Sequence, residues 1–172
     1  GYRVAVGLLR LAPEELALRF GEGMGWVVGV VLGVRRRVVR EHLELAFPDR
    51  GEGWRRQVAR ACFRHVGREA VATFRLGGMG PEEILRRTEM EGLEGLEAAV
   101  AEGKGAIIVT GHFGNWEIGG AAIAARGIAL EAVAQRQRNP LFDADLVRNR
   151  ERLRMTVIDR GEAPRRVLRA LR

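Results

Sequence analysis

Residues 106–120 read AIIVTGHFGNWEIGG, and the fold turns on how this stretch is parsed. AIIVTG is a short continuous apolar run, the pattern of a strand buried on both faces of a parallel sheet. WEIGGAAIAARG, which starts at Trp116, reads as a helix stopped at Gly127. Asn115 is a good N-cap, placing Trp116 at the first helical position and Glu117 at the second. His112 then lies in the loop beyond a strand's carboxyl end, where open α/β sheets gather ligands. His112 and Glu117 cannot share a helix face, because five steps of ~100° leave them about 140° apart. With His112 in the loop and Gly111 and Gly114 supplying backbone freedom, the imidazole can fold back toward the carboxylate.

The same alternation continues outward. IALEAVAQ reads as strand, PLFDADLVRNRERLR as a helix opened by Pro140, MTVID as strand and APRRVLRALR as helix. Upstream, TEMEG (88–92) suits a short edge strand and LEGLEAAVAEGKG an amphipathic helix. Strands alternating with helices imply βαβ units and an open parallel sheet. The first half reads as helix. LAPEELALRF has Pro13 near its start, a second helical pattern runs from about Trp26 to Phe47 and stops at Pro48, and a third runs from about Trp54 to Leu76 with apolar residues at Val58, Cys62, Val66 and Ala70 and with Phe63 and Phe74 nearby. PEEILRR is a short fourth helix. The expectation is one α/β domain over 1–172. A helical region (1–80) leads into a central, largely parallel sheet with helices on both faces (88–172), and the sheet is incomplete. Gly1 stands where an initiator Met would be, and the chain stops within a helical pattern, so both ends look cut.

Composition narrows the class. With 47% apolar and 30% charged residues the chain is an ordinary globular mixture rather than a disordered one. The single cysteine, Cys62, cannot form an internal disulfide and reads as a small buried thiol in a reducing compartment. Net charge is +7, and residues 135–172 hold 11 arginines against 5 acidic residues, a local excess of +6. Such a basic third favours phosphorylated, acidic or membrane-surface partners. A nucleic-acid-binding module shares that charge, but no binding motif occurs and the aromatics do not interleave with the arginines. The most apolar run, MGWVVGVVLGV (24–34), is shorter than a spanning helix and is followed by Arg35, Arg36 and Arg37. It reads either as a core helix with a solvated basic end or as a segment lying in a bilayer interface.

A carboxylate bonded to one ring nitrogen fixes the tautomer of a histidine and leaves the other nitrogen as a base. That arrangement removes the proton from an alcohol attacking an acyl carbonyl. No serine or cysteine is placed as a nucleophile, so direct transfer suits the residues better than a covalent acyl-enzyme. One His and one Glu are too few for a metal site, and His42 and His65 lie in separate helical patterns. Spacing alone equally describes a surface histidine beside a helix N-terminus whose glutamate serves the dipole. It also describes a non-catalytic lipid-surface protein in which the motif is only a strand-to-helix cap.

GHFGNWE resembles the His-x4-Glu/Asp motif of the lysophospholipid acyltransferase superfamily, in the form found in late lipid A (lauroyl/myristoyl) acyltransferases and in the enzymes that acylate mannosylated phosphatidylinositol. HLELAFPD (42–49) is similar to that branch's N-L-x-x-A-F-P segment, with His42 where Asn is usual, and RQRNPLFDADLVRNR (136–150) is similar to its N-P, acidic, arginine segment. The resemblance covers nearly the whole chain. It implies His112 as general base, Glu117 as its partner, and Arg150 and Arg136 on the substrate, with Asn115, Trp116 and Gly114 shaping the substrate site and Asn139, Pro140 and Asp143 forming the N-P segment. It implies no metal and no bound cofactor. The donor would be a thioester of acyl carrier protein or coenzyme A, and the acceptor a membrane glycolipid of the lipid A precursor type or a phosphatidylinositol mannoside. The place would be the cytoplasmic face of a bacterial inner membrane. Local donors, either backbone amides or Arg150, would steady the oxyanion. Family members continue past the equivalent of Arg172 and carry an N-terminal membrane helix, of which GYRVAVGLLRL would be the tail.

Overall fold

The computed structural model describes residues 1–171, which form two compact units that divide between Arg75 and Leu76. Arg172, the last residue of the expected final helix, lies outside the described residues.

The first unit is helical. α1 (Tyr2–Leu11) is followed by α2 (Glu14–Trp26), which starts after Pro13 with Glu14 and Glu15 in its first turn, where the helix dipole favours acids. α2 runs on into a π-helical turn, Val27–Val31, and there the expected single helix over 26–47 fails. Gly33 and Arg35 take positive φ (69° and 56°), and α3 (Arg36–Ala46) leaves at 89° to the helix before it. The Arg36 guanidinium donates to the Val30 carbonyl, which satisfies a group exposed by the broken helix. α3 ends before Phe47 and Pro48, as the proline demands. α4 (Glu52–Leu76) follows.

The stripe expected on α4 is the wrong face. Cys62 is exposed rather than buried, and Val66 is 65% exposed. The packed face carries Phe63, Gly67 and Val71, one helical turn apart, because the contact with α2 is made through glycine. A Cβ on Gly21 would lie 2.5 Å from the Gly67 carbonyl oxygen, one on Gly25 would fall on the Phe63 carbonyl oxygen, and one on Gly29 would fall on the Phe63 ring. Around this crossing Ala17, Leu18 and Val71 form a small buried cluster with Leu9, Ala12 and Ala72 against it. Arg75 donates to the carbonyls of Leu9 and Ala12 (2.8 Å), closing the open end of α1.

The second unit is the α/β part. Its helices are α5 (Pro81–Arg87), α6 (Leu93–Ala101) and α7 (Trp116–Ala125), then α8 (Pro140–Arg152) and α9 (Ala163–Ala170) around the strands β1 (Leu130–Ala134) and β2 (Met155–Asp159). The strands pair in parallel from Leu130 opposite Met155 to Ala134 opposite Asp159, with α8 as the crossover. The α/β class and the incomplete sheet both hold. The interior gathers Leu76, Ile84, Ala121, Ala122, Ala124, Leu153 and Met155. Ile84, Leu153 and Ile158 are wholly buried, each contributing about 1.5–3 kcal/mol.

Two expected strands do not form. AIIVTG is irregular, with Ile107 67% and Val109 89% exposed, because no neighbouring strand among the described residues supplies a ladder to it. TEMEG is held by a side-chain clasp instead of a sheet edge. Arg126 donates to the Thr88 carbonyl at 2.8 Å, and the Thr88 hydroxyl donates back to Ile84 at 2.7 Å.

Candidate active site

The loop that enters α7 assembles from local rules. Gly114 takes φ +59°, a conformation costly for other residues, and turns the chain into the helix. Asn115 caps it, its side-chain oxygen accepting from the Ile118 amide at 3.2 Å. Trp116 opens the helix half-exposed, and the His112 ring lies tilted against it with centroids 4.4 Å apart. His112 and Phe113 both face solvent.

Glu117 is the buried charged residue of the site, only 8% exposed. It shares the core-facing stripe of α7 with Ala121 and Ala124, four and seven positions on. Arg150 occupies the matching stripe of α8, between Leu146 and Leu153, which are also buried. The two stripes meet and the charges pair. Arg150 Nε donates to Glu117 Oε2 at 2.9 Å and Nη2 donates to Oε1. A two-pronged guanidinium–carboxylate bond is strong and directional, and it gives both oxygens of the buried side chain a partner.

This geometry corrects two expectations. Among the described residues no hydrogen bond or ion pair joins His112 to Glu117. The helix turns Glu117 inward to Arg150, while the imidazole lies outward on Trp116. Arg150 is not free to close on a substrate with its whole fork, since two of its nitrogens are on Glu117 and only Nη1 has no hydrogen bond among the described residues. Arg136 is 85% exposed and reaches Asp159 Oδ2 at 3.5 Å, at the end of β2. The N-P segment is built locally. Asn139 caps α8 by accepting from Leu141 (3.0 Å) and Phe142 (3.4 Å), and Asp143 accepts from the Gln137 amide at 2.7 Å. Among the described residues no cluster of three or more His, Cys, Asp or Glu could hold a metal ion.

Compared with known proteins, residues 2–172 match the family model described as bacterial lipid A biosynthesis acyltransferase. The chain is 27% identical over 162 residues to the lipid A biosynthesis lauroyltransferase of Escherichia coli (strain K12), covering 92% of this chain and 53% of that protein. It is 29% identical over 139 residues to the lipid A biosynthesis myristoyltransferase of the same organism, covering 81% and 43%. Against the phosphatidylinositol mannoside acyltransferase of Mycobacterium tuberculosis (strain CDC 1551 / Oshkosh) identity is 31% over 108 residues, covering 60% and 34%. The chain thus spans about half, or less, of the length of these relatives. No solved structure gives a significant match.

Proposed function

This chain belongs to the bacterial lipid A biosynthesis acyltransferase family, and from that premise we propose that the protein carries a fatty acyl chain from a thioester to a hydroxyl of a membrane glycolipid. In this reading His112 takes the hydroxyl proton as the oxygen attacks the thioester carbonyl, and the thiolate carrier departs. Glu117 supplies the negative field that steadies the imidazolium formed, and Arg150 acts through Glu117 as a positioning residue. The observation that carries the reading is the buried Glu117–Arg150 pair. It fixes a carboxylate at the mouth of α7, five residues beyond a solvent-facing histidine, and holds it there through a guanidinium on α8. The one unengaged nitrogen of Arg150 is suited to a carbonyl or phosphate oxygen.

The acceptor fits a lipid A precursor, as in the lauroyl and myristoyl transferases. The mannoside transferase among the relatives makes a mannosylated lipid the second candidate. For the donor, Arg138, Arg165 and Arg169 are exposed and without ion pairs among the described residues, which suits an anionic carrier, whether acyl carrier protein or coenzyme A. The place of action is then the cytoplasmic surface of the inner membrane, and no metal or bound cofactor enters the reaction. The test is transfer by the full-length protein carrying His112→Ala. The reading requires loss of turnover with an unchanged unfolding transition, and near-wild-type turnover removes His112 from the chemistry. Acylated products separated by thin-layer chromatography distinguish the two acceptors.

A further inference from the structure

Residues 76–88 form no strand, yet both helices that carry the buried charge pair are tied to them. The segment holds the last residue of α4, a turn through Met79, and α5, whose seven residues are too few to hold a helix by themselves. Ile84 is wholly buried, and Leu76 joins it in one cluster with Ala121 and Ala124 of α7 and with Leu153 just past the end of α8. Helix ends of this kind leave carbonyls without intrahelical partners. Here two arginines meet them.

Each arginine stands at the C-terminal end of one of the two helices. Arg126 follows the last residue of α7 and donates to the Thr88 carbonyl (2.8 Å), the Thr88 hydroxyl (3.3 Å) and the Ala122 carbonyl of its own helix (2.9 Å). Arg152 ends α8, and a single nitrogen, Nη2, donates to both the Leu76 carbonyl (3.0 Å) and the Met79 carbonyl (2.7 Å). Those partners lie 76 and 73 positions back along the chain, so this is no local helix-end contact. Bonds in which the donor is charged are stronger than neutral ones. Arg152 also differs from Arg150 in direction. Two steps of ~100° set them about 200° apart around α8, so one reaches Glu117 and the other reaches the opposite side. α8 can neither roll nor slide without breaking one of the two.

We propose that Arg152 is a positioning residue for acyl transfer: it pins α8 to residues 76–79 and so holds Arg150 where its fork meets Glu117. The proposal rests on the assignment of His112, Glu117 and Arg150 to the transfer site. A two-pronged pair demands both helices in register, because Nε and Nη2 of Arg150 must meet two oxygens at once. Arg126 and Arg152 bind α7 and α8 to the same short segment, which makes that segment the common reference for the two halves of the pair. Arg152 itself touches no reacting atom in this reading. A misplacement of about 1 Å transmitted to the site costs about a hundredfold in rate, so the effect belongs on kcat rather than on the binding of either substrate.

The test is steady-state transfer by the full-length protein with Arg152→Met and Arg152→Lys, with rates referred to the folded fraction seen by far-UV circular dichroism. Arg152→Met should lower kcat by about tenfold or more and leave both KM values within about twofold. Arg152→Lys should recover most of that loss, because one ammonium can serve the two carbonyls that one Nη2 serves now. In an Arg150→Gln background Arg152→Met should cost no more than about a further twofold, since the residue it acts through is already gone. Parent kcat in Arg152→Met, whatever its unfolding midpoint, overturns the proposal and leaves Arg152 a contact of the fold only. A folded Arg152→Lys as slow as Arg152→Met also overturns it, and so does an undiminished loss in the Arg150→Gln background. A parent that transfers no acyl chain removes the transfer reading and this proposal together, whereas the other contrary results remove this proposal alone.

Discussion

In the first unit the helices cross through Gly21, Gly25 and Gly67, while Phe20, Met24 and Val31 face outward. In the second, Ile84, Leu153 and Ile158 fill the interior, and the charged group inside is a carboxylate clamped by a guanidinium. One unit tolerates no added atom where its helices cross. The other tolerates no unpaired charge in its interior. The difference teaches where each is vulnerable: the first to the smallest growth of a residue, the second to loss of a partner.

The largest effect should come from unpairing the buried charge. Glu117→Ala leaves Arg150 without its partner at 15% side-chain exposure, and should cost about 3–5 kcal/mol in denaturant unfolding. The double variant Glu117→Leu/Arg150→Leu should recover most of that, because an apolar pair leaves no stranded charge. Next comes growth at the glycine crossing. Gly25→Val should cost about 3 kcal/mol, since the added carbon meets the backbone of Phe63 and Gly67 and neither can give way. Gly119→Ala, on α7 with open space around it, should instead stabilise by roughly 0.5–1 kcal/mol. If alanine or valine were tolerated equally at Gly25 and Gly119, the contrast between the units would collapse.

The smallest effect is one of pH. The Arg64 and Arg68 guanidinium groups that hydrogen-bond Glu22 hold its carboxyl below the ordinary carboxylate value. A depressed folded pKa gives stability that is present above the unfolded pKa and lost as pH falls through the folded one. Acid titration of the unfolding midpoint should therefore show a small loss in the acidic range that Glu22→Gln abolishes. A change confined to neutral pH would assign it to another group.

Much of this could be read along the chain, and the misreadings have physical causes. Asn115 as a cap, Gly127 as a stop, and the β1–α8–β2 alternation follow from local preferences that no partner is needed to satisfy. AIIVTG has a strand's composition, but a strand exists only where a neighbour completes its ladder, and composition cannot supply one. On α4 apolar character marks Val58, Cys62 and Val66, whereas contact is decided by the absence of a side chain at Gly67. The partner of Glu117 was within reach of sequence reasoning. Glu117 sits on the stripe of Ala121 and Ala124, and Arg150 on that of Leu146 and Leu153, so each charge lies on a face otherwise committed to the interior. A buried acid and a buried base on neighbouring helices require each other. The five-residue spacing from His112 points to the imidazole instead, but the helix turns the carboxylate the other way.

The claim on which the account most depends is that Glu117 and Arg150 act as one unit beside His112. The direct measurement is a double-mutant cycle on the transfer rate of the full-length protein, with Glu117→Gln, Arg150→Gln and both together, all at saturating donor. If the pair is a unit, the double variant should be no slower than the slower single variant, within about twofold. Losses that multiply in the double variant would show the two residues working independently, and would contradict it.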